Sequence, residues 1–317
     1  MTKDERKSKR VRRFHLLLAI VTVIPVTTAS VTGGRPPQLN GFKAIRVHYS
    51  PLNKMIMSVR INGQPANLLV DTGSNEIILD AAEADSFGIK PSQGNLRYIQ
   101  STRVNGQQLP VAFAQNLSAG SVSFGSHFVA LRDSKRPAAG DSNADGILGL
   151  NFFTRYQAII NCRAKLIFFR VDRAPNIDLR PVASEEKFTA IPLRQERNGA
   201  LTVPCSIRGE ATRLLVDTGS FITILHEPLI KSLSVSIEAT HVSVSFTRGA
   251  SRKINAGQID ELKIGHFKAQ PGKFGVTALP NFTLVQGDTK IGGILGMDTL
   301  YKHHALIDLG GMNLFLK

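Results

Sequence analysis

Cysteine and tryptophan are scarce in this chain of 317 residues, which has two cysteines, Cys162 and Cys205, and no tryptophan. An oxidising compartment would permit one disulfide between the two thiols, whereas two free buried thiols fit the sequence equally well. The adjacent His303 and His304 have no further histidine or cysteine at ligand spacing, so no metal site is predicted. The Gly-x-Ser-x-Gly nucleophile elbow is also absent, so nothing indicates a serine hydrolase.

Acidic residues are few compared with basic ones. The chain has 24 Asp and Glu against 39 Lys and Arg, which gives a formal net charge of +15. A basic body favours acidic partners or anionic surfaces, but a solvated basic face that keeps the protein soluble is the simpler interpretation. No nucleic-acid-binding motif accompanies the charge, so no nucleic-acid partner is predicted.

Long hydrophobic runs are lacking except near the N-terminus. A basic segment from Lys3 to Arg13 precedes an apolar stretch from Phe14 to Val26 and the small residues 27–30. This order is typical of a secretory signal, and the apolar stretch is short for a membrane span of about 20 residues. We therefore interpret residues 1–40 as a signal peptide or membrane anchor followed by a linker. We predict that the protein is exported. The alternative is a form that this segment anchors to the membrane.

The rest of the chain has the pattern of a β protein. Short runs of Val, Ile, Leu and Phe alternate with turn residues, and hydrophobic residues make up 42% of the sequence. Helix is predicted only in short pieces, at 81–87, at 228–233 and after each of two Ile-Leu-Gly segments.

The strongest pattern is a heptapeptide, Leu-Leu-Val-Asp-Thr-Gly-Ser, that occurs twice. It occupies residues 68–74 and 214–220, so that Asp71 and Asp217 lie 146 residues apart. A strand and tight turn precede each copy, an Ile-Leu-Gly follows at 147–149 and 294–296, and an apolar strand closes each half. Such self-similarity indicates a duplication. The predicted lobes cover residues 41–171 and 190–317, joined by a polar, proline-bearing linker at 172–189.

Two carboxylates at matched positions of two lobes suggest one shared site. Close carboxyl groups cannot both ionise easily, and a pair that shares one proton is suited to acid and base work on water. For a single copy, an Asp that caps a glycine turn for structural reasons is an equally good interpretation. Two copies in matched frames favour the interpretation of Asp71 and Asp217 as a catalytic pair.

These residues resemble the pepsin/retropepsin class of aspartic peptidases, in a single-chain, bilobal form similar to exported bacterial aspartyl proteases. The resemblance rests on the two Asp-Thr-Gly-Ser motifs and the paired Ile-Leu-Gly segments, and it covers most of the chain after about residue 50. It implies an all-β fold of two homologous retropepsin-like closed-barrel lobes with the active-site cleft between them. It also implies endopeptidase activity on extended polypeptides, without metal or cofactor, and a monomer, because both lobes belong to one chain.

The same resemblance assigns supporting roles to the rest of each motif. A glycine without Cβ lets the backbone turn sharply and bring an N–H group to the carboxylate. The class implies that the threonines hydrogen-bond across to the opposite loop, and the serine hydroxyls could donate to the outer carboxylate oxygens. Those bonds would lower the carboxyl pKa and favour an acidic pH optimum. The dyad-supporting residues are Thr72, Gly73, Ser74, Thr218, Gly219 and Ser220.

A flap over the cleft is a further expectation from the class. The candidate in the first lobe runs from Tyr98 to Gln107, where Asn105 and Gly106 form a strong turn signal. Tyr98 is the candidate flap tyrosine, and residues 246–250 lie at a similar place in the second lobe.

Two other functions remain open. The fold could survive as a catalytically silent protein that only binds extended peptides, although a pure binder has no need of two intact Asp-Thr-Gly-Ser motifs. A basic surface protein attached to polyanions, with incidental proteolysis, is the third alternative.

Overall fold

The fold was analysed in a computed structural model, which describes residues 39–89, 101–104, 107–133, 144–172, 177–245, 251–280, 285–286 and 289–317. Most of the predicted signal or anchor segment, residues 1–38, lies outside this part of the chain. Among the described residues, no helix has the length and apolar character needed to cross a membrane.

The first half of the chain is built almost entirely of strands. Besides a 3-10 turn at Ala84–Phe87 and two short helices, α1 (Leu150–Arg155) and α2 (Arg180–Glu185), it contains β1 (Phe42–Arg46), β2 (His48–Tyr49), β3 (Met55–Ile61), β4 (Gln64–Asp71), β5 (Ile78–Asp80), β6 (Ser101–Val104), β7 (Gln107–Ala119), β8 (Val122–Arg132), β9 (Gly146–Gly149), β10 (Ile159–Asn161) and β11 (Leu166–Arg170).

The second half repeats this plan. Among its described residues, the helices are α3 (Glu227–Ser232) and α4 (Met297–Lys302), and the strands are β12 (Thr189–Pro192), β13 (Arg194–Gln195), β14 (Leu201–Ile207), β15 (Glu210–Val216), β16 (Ile224–His226), β17 (Ile237–Glu238), β18 (Ser243–Ser245), β19 (Ser251–Lys253), β20 (Asn255–Ile259), β21 (Leu262–Ile264), β22 (Phe267–Lys268), β23 (Gly272–Thr277), β24 (Val285–Gln286), β25 (Thr289–Leu295), β26 (Leu306–Asp308) and β27 (Asn313–Leu316). The scarcity and the approximate positions of the predicted helices are confirmed.

A tight hairpin leads into each copy of the heptapeptide. The β3–β4 turn has positive φ at Asn62 (50°) and Gly63 (87°), and the β14–β15 turn has the same pattern at Arg208 (49°) and Gly209 (85°). Two consecutive positive φ values define the two-residue hairpin turn whose twist matches that of its strands. Asn-Gly suits this turn, whereas Arg208 adopts the conformation without that advantage.

In the first lobe the strands form a closed barrel. Eight strands pair in the order β2-β3-β4-β9-β5-β8-β7-β6, and an additional pairing of β3 with β7 closes the circuit. That pairing sets Ile61 opposite Leu117. Alternate side chains of β3 and β4 point inward, and Leu68 and Val70 are fully buried. The barrel therefore has an apolar interior behind the strand that carries Asp71.

The second lobe has the same strands but a more open sheet. The long hairpin of the first lobe, β7 with β8, corresponds here to two shorter pairs, β20 with β23 and β21 with β22. The first pair continues the sheet beyond β16, whereas β21 joins β14 on the other side. The strand that is continuous in the first lobe is interrupted here at Asp260 and Glu261, and the second sheet is a half-barrel. The predicted all-β fold of two homologous barrel-like lobes is confirmed, with this difference in closure.

A six-stranded sheet joins the two halves within one compact unit, Pro36–Lys317. Its order is β1-β11-β10-β26-β27-β12, with three strands from each half. At its centre β10 and β26 run antiparallel, and Ile160 lies opposite Ile307. These two residues are the same position in the two copies of the lobe, so an approximate two-fold axis passes between them.

Both cysteines are free and buried. Cys162 directly follows β10 of the six-stranded sheet, and Cys205 lies in β14. Burial raises the pKa of each thiol to about 12, which keeps both protonated and unreactive. Of the two alternatives that the sequence allowed, the structure therefore has the two free thiols.

Candidate active site

Each aspartate of the repeated motif stands where a buried strand ends. Asp71 is the last residue of β4 and pairs with Gly149 of the parallel strand β9. Asp217 follows β15 directly, and its backbone N–H donates to the carbonyl of Leu295 in β25 at 3.1 Å. The strands before the two residues are apolar because they fill the lobe interiors. Each carboxyl group is therefore fixed by a rigid strand rather than by a free loop.

Backbone amides of the glycine turns hold the inner carboxylate oxygens. The N–H of Gly73 donates to Asp71 Oδ1 at 2.8 Å, and the N–H of Gly219 donates to Asp217 Oδ1 at the same distance. The Ser220 N–H adds a third bond, to Asp217 Oδ1 at 3.0 Å. The amides of Gly219 and Ser220 favour the ionised form of Asp217.

The two serine hydroxyls act differently. Ser74 Oγ donates to Asp71 Oδ2 at 2.8 Å, as the sequence predicts, but Ser220 Oγ donates to the carbonyl of Ile222 at 2.8 Å. The prediction that both hydroxyls donate to a carboxylate is therefore wrong for Ser220. The Ile222 carbonyl is within reach of the hydroxyl, and the Ser220 amide takes over the contact with Asp217.

The two threonines connect the loops across the lobe junction. Thr72 Oγ1 donates to the carbonyl of Val216 at 2.7 Å and accepts from the N–H of Thr218 at 3.0 Å. Thr218 Oγ1 makes the mirror-image bonds, to the carbonyl of Val70 at 2.7 Å and from the N–H of Thr72 at 3.0 Å. Both threonines are buried, so four hydrogen bonds in a dry environment lock one loop to the other.

The glycines bring each carboxyl group against the opposite loop. A Cβ added to Gly73 would lie 2.5 Å from Asp217 Cγ, and one added to Gly219 would lie 2.5 Å from Asp71 Cγ. Real Cβ contacts of this length do not occur, so each position admits only glycine while the carboxyl groups stay where they are. The two aspartates therefore meet at the junction of the lobes.

The electrostatics of the pair favour one retained proton. Burial raises the pKa of Asp217 well above its ordinary value, and the charge of Asp71 and the hydrogen bond that protonated Asp217 donates to the Asp71 side chain raise it further. The amides of Gly219 and Ser220 act in the opposite direction and do not cancel this effect. Two carboxyl groups in contact titrate as one coupled system, which keeps a single negative charge over a broad pH range.

The Ile-Leu-Gly segments support the two aspartate loops from behind. A Cβ on Gly149 would lie 2.3 Å from the carbonyl oxygen of Glu76, and one on Gly296 would lie 2.2 Å from that of Ile222. The first amides of α1 and α4 then donate to the loop carbonyls, Leu150 to Ser74 at 2.7 Å and Met297 to Ser220 at 2.8 Å.

Several supporting contacts leave no pattern in the sequence. Asn75 Nδ2 donates to the carbonyl of Asn198 at 2.9 Å, which links the first loop to the second lobe. In the second lobe, Asp298 Oδ1 accepts from the Thr223 hydroxyl at 2.7 Å and from its backbone N–H at 2.8 Å. Side chains of this kind are too common to mark a site before the loops are placed.

The flap candidates Tyr98, Asn105 and Gly106 lie outside the described residues, and so do residues 246–250. The described flanks are paired strands. Val104 of β6 lies opposite Gln107 of β7, and Ser245 of β18 lies opposite Ser251 of β19. The flap assignment stays a prediction.

The described part of the chain contains no cluster of three His, Cys, Asp or Glu side chains that could hold a metal ion. Around the two aspartates the structure records backbone amides, hydroxyls and one lysine, Lys54, whose amine experiences the charge of both carboxylates. The arrangement suits acid and base chemistry on a water molecule.

A bilobal β fold that brings one Asp-Thr-Gly-Ser loop from each lobe to a shared junction is the architecture of the pepsin/retropepsin class. The family model described as aspartyl protease matches the chain twice, at residues 57–152 and 203–299, which together exceed half of its length. The chain therefore belongs to the aspartyl protease family. No curated protein matches the chain in sequence.

Solved structures of other proteins have a similar fold. They include basic 7S globulin from soybean (11% identity, 87% of this chain and 94% of that one, TM-score 0.51), aspartic proteinase from Irpex lacteus (14%, 87% and 96%, 0.50) and conglutin gamma, a basic 7S globulin from lupine seeds (10%, 87% and 95%, 0.52). At these identities the likeness concerns the fold alone.

Proposed function

We propose that the protein is an aspartic endopeptidase that hydrolyses peptide bonds with a water molecule activated between Asp71 and Asp217. The observation that carries the proposal is the contact of these two carboxyl groups across the lobe junction. Each is held by its own glycine turn and lies against the glycine of the other. A site that served only to hold a loop would need one carboxylate, not a matched pair.

The proposed reaction needs no protein nucleophile. The ionised carboxyl group takes a proton from the water molecule while the water oxygen attacks the peptide carbonyl carbon. The protonated group hydrogen-bonds the developing oxyanion and then supplies a proton to the leaving nitrogen. The pair ends with one proton, as it began, so the site is ready for another substrate. Glycine amides and the Ser74 hydroxyl hold both groups in place through these transfers.

The raised pKa of Asp217 sets the direction of the pH dependence. As pH rises through that pKa, the shared proton is lost and no general acid remains, so the rate falls. As pH falls far enough to protonate the second carboxyl group, no general base remains, and the rate falls again. We therefore expect a bell-shaped profile whose two limbs belong to the coupled pair.

The test replaces each aspartate by asparagine. Asp71→Asn and Asp217→Asn are each expected to lower kcat/KM on unfolded casein by at least about a thousandfold, because each removes one partner of the proton exchange. Cleavage is measured between about pH 3 and 7. Asp178→Asn is the control, since Asp178 is exposed and pairs only locally with Arg180. Wild-type rates in either dyad variant would exclude the mechanism.

A catalytically silent peptide-binding protein of the same fold is the second candidate. It is favoured by the names of two similar structures, which are globulins rather than proteinases. It predicts that a peptide library binds with measurable heat but is recovered uncut across the same pH range. Cleavage of even one library member that depends on Asp71 would decide for the enzyme.

We further propose that the enzyme is exported, with its N-terminal segment either removed or retained as a membrane anchor. We propose that it acts on extended polypeptides as a monomer without nucleic-acid partners. The basic and apolar order of residues 3–26 supports export, and the supply of both aspartates by one chain supports a monomer. Cell fractionation, which locates the protein, tests export. The mass of the protein in solution tests the monomeric state.

A further inference from the structure

Lys54 belongs to a short turn that fixes where its side chain begins. The N–H of Ser50 donates to the carbonyl of Lys54 at 2.9 Å, and the N–H of Lys54 donates to Ser50 Oγ at 3.3 Å. The residue is partly buried and directly precedes β3. Its backbone is therefore held at the end of the hairpin that carries Asp71, not in a free loop.

The strand register sets Lys54 opposite Asp71. In the β3–β4 hairpin, Ile56 pairs with Leu69 and Met57 with Leu68. Continuing this register by two residues places Lys54 across from Asp71, the last residue of β4. Residues opposite each other in antiparallel strands point to the same face, so a long side chain at position 54 is directed to the side of the sheet that carries the carboxyl group.

The second lobe has the same turn but lacks the cation. There the N–H of Glu196 donates to the carbonyl of Ala200 at 2.8 Å, as Ser50 does to Lys54. In β14 and β15, Thr202 pairs with Leu215, and the same continuation places Ala200 opposite Asp217. Lys54 and Ala200 are thus matched positions of the duplication. On this register the position across from Asp71 carries an ammonium group, whereas the position across from Asp217 carries a methyl group.

The charges around the amine agree with this placement. Partial burial lowers the pKa of Lys54, whereas the carboxylates of Asp71 and Asp217 raise it. Both of these charges belong to the aspartate pair: Asp71 ends β4, and Asp217 comes from the other lobe. The interaction is mutual, because an ammonium group that is stabilised by carboxylates stabilises their ionised form in return.

We propose that Lys54 is a positioning residue that breaks the symmetry of the aspartate pair, holding the negative charge on Asp71 and leaving the shared proton on Asp217. The assignment rests on the proposed function, since it names Asp71 as the general base and Asp217 as the general acid. The cation opposes protonation of the pair at every step, so it lowers both macroscopic pKa values. It therefore moves the whole bell-shaped profile to more acidic pH.

The test is a ¹³C NMR titration of aspartate carboxyl groups in the full chain, which does not require catalysis. Signals of the pair are identified by their loss in Asp71→Asn and Asp217→Asn. Lys54→Met is expected to raise both macroscopic pKa values of the pair by about one pH unit, and Lys54→Arg is expected to keep them near wild type. Lys268→Met removes an equal charge from an exposed position and is expected to leave both values unchanged.

The site assignment is tested with one aspartate at a time. In the Asp217→Asn background, Lys54→Met is expected to raise the pKa of Asp71 more than it raises the pKa of Asp217 in the Asp71→Asn background. Melting curves establish that each variant is folded. Equal pKa values with and without Lys54, or a larger effect on Asp217, would overturn the proposal. Failure of the proposed endopeptidase function would be seen separately: the wild-type protein would leave casein intact, although the carboxyl groups of the pair titrate as expected.

Discussion

Gly73 and Gly219 each occupy the space beside the carboxyl group of the opposite lobe. Neither has the positive φ that usually explains a glycine, and the obstacle to a side chain is the aspartate 2.5 Å from the place of its Cβ. Each glycine therefore has two functions: its N–H holds its own aspartate, and its missing side chain admits the other one. Only the second function requires both lobes.

Gly73→Ala tests this steric role. The added methyl group must displace Asp217, so we expect a loss of activity of at least about a hundredfold and a destabilisation of about 1–3 kcal/mol. Activity on casein and the midpoint of urea unfolding are the measurements.

Gly272→Ala in β23 is the matched control. A Cβ there would lie 4.0 Å from the nearest atom, the carbonyl oxygen of Gln270. It is expected to change stability by no more than about 0.5 kcal/mol, as at an ordinary surface position. A fully active Gly73→Ala variant would mean that the two carboxyl groups do not meet as described.

At the scale of elements, the site depends on two loops that hold each other. Thr72 and Thr218 donate to carbonyls at the ends of the opposite lobe's strand, Val216 and Val70, and accept from each other's amide. The bonds are buried, so their loss is not compensated by water. The position of each aspartate is consequently set by the strand of the other lobe as well as by its own.

Two replacements of Thr72 distinguish the contribution of its hydroxyl group from that of its side-chain volume. Thr72→Val keeps the volume but leaves the carbonyl of Val216 and the N–H of Thr218 without partners, so a loss of about 2–4 kcal/mol is expected. Thr72→Ser keeps both bonds and is expected to remain within about 1 kcal/mol of wild type. Chemical denaturation measures both variants. Equal stability of the two would show that the crossing bonds carry little of the loop–loop energy.

The hairpins before the loops show the limit of local pattern reading. Asn62 and Gly63 have residue types that favour two positive φ values, and the turn is predictable from them alone. Arg208 and Gly209 adopt the same turn, but Arg208 carries no such preference. The second hairpin was predictable only because the repeat sets it in the frame of the first.

At the scale of the whole molecule, the six-stranded sheet makes the two lobes one unit. Three strands come from each half, and Ile160 pairs with its own duplicate position, Ile307. An approximate two-fold arrangement inside one chain performs the task that a symmetric dimer performs in other proteins. The sheet therefore fixes the two aspartate loops to each other without a second subunit.

The N-terminal segment predicts where the mature protein is found, and the supply of both aspartates by one chain predicts its mass. In the native host, most of the protein is expected outside the cytoplasm, shortened at its N-terminus by roughly 30 residues where the signal is cleaved. Light scattering of the purified protein is expected to give the mass of one chain. Accumulation in the cytoplasm with an intact N-terminus would reject export, and a concentration-independent dimer would reject the monomer.

The sequence by itself determined the β class, the duplication and the identity of the paired carboxylates. These depend on local periodicity and on a repeat of strand, motif and Ile-Leu-Gly that is visible residue by residue. It also predicted the cross-lobe threonines, although only through the resemblance to a known class. Buried strands and glycine turns are encoded locally, so this part of the fold needed no coordinates.

Only the tertiary structure decided how the two copies differ. Ser74 and Ser220 occupy the same place in the motif, yet one hydroxyl reaches its carboxylate and the other a carbonyl. Lys54 and Ala200 occupy matched turns, but only the joined lobes bring the Lys54 amine under the charge of both Asp71 and Asp217. Both serine contacts are local, three residues apart for Ser74 and Asp71 and two for Ser220 and Ile222, and the two motifs have the same letters. Which acceptor each hydroxyl reaches depends on the loop geometry that the packed lobes impose, and no local pattern specifies that geometry.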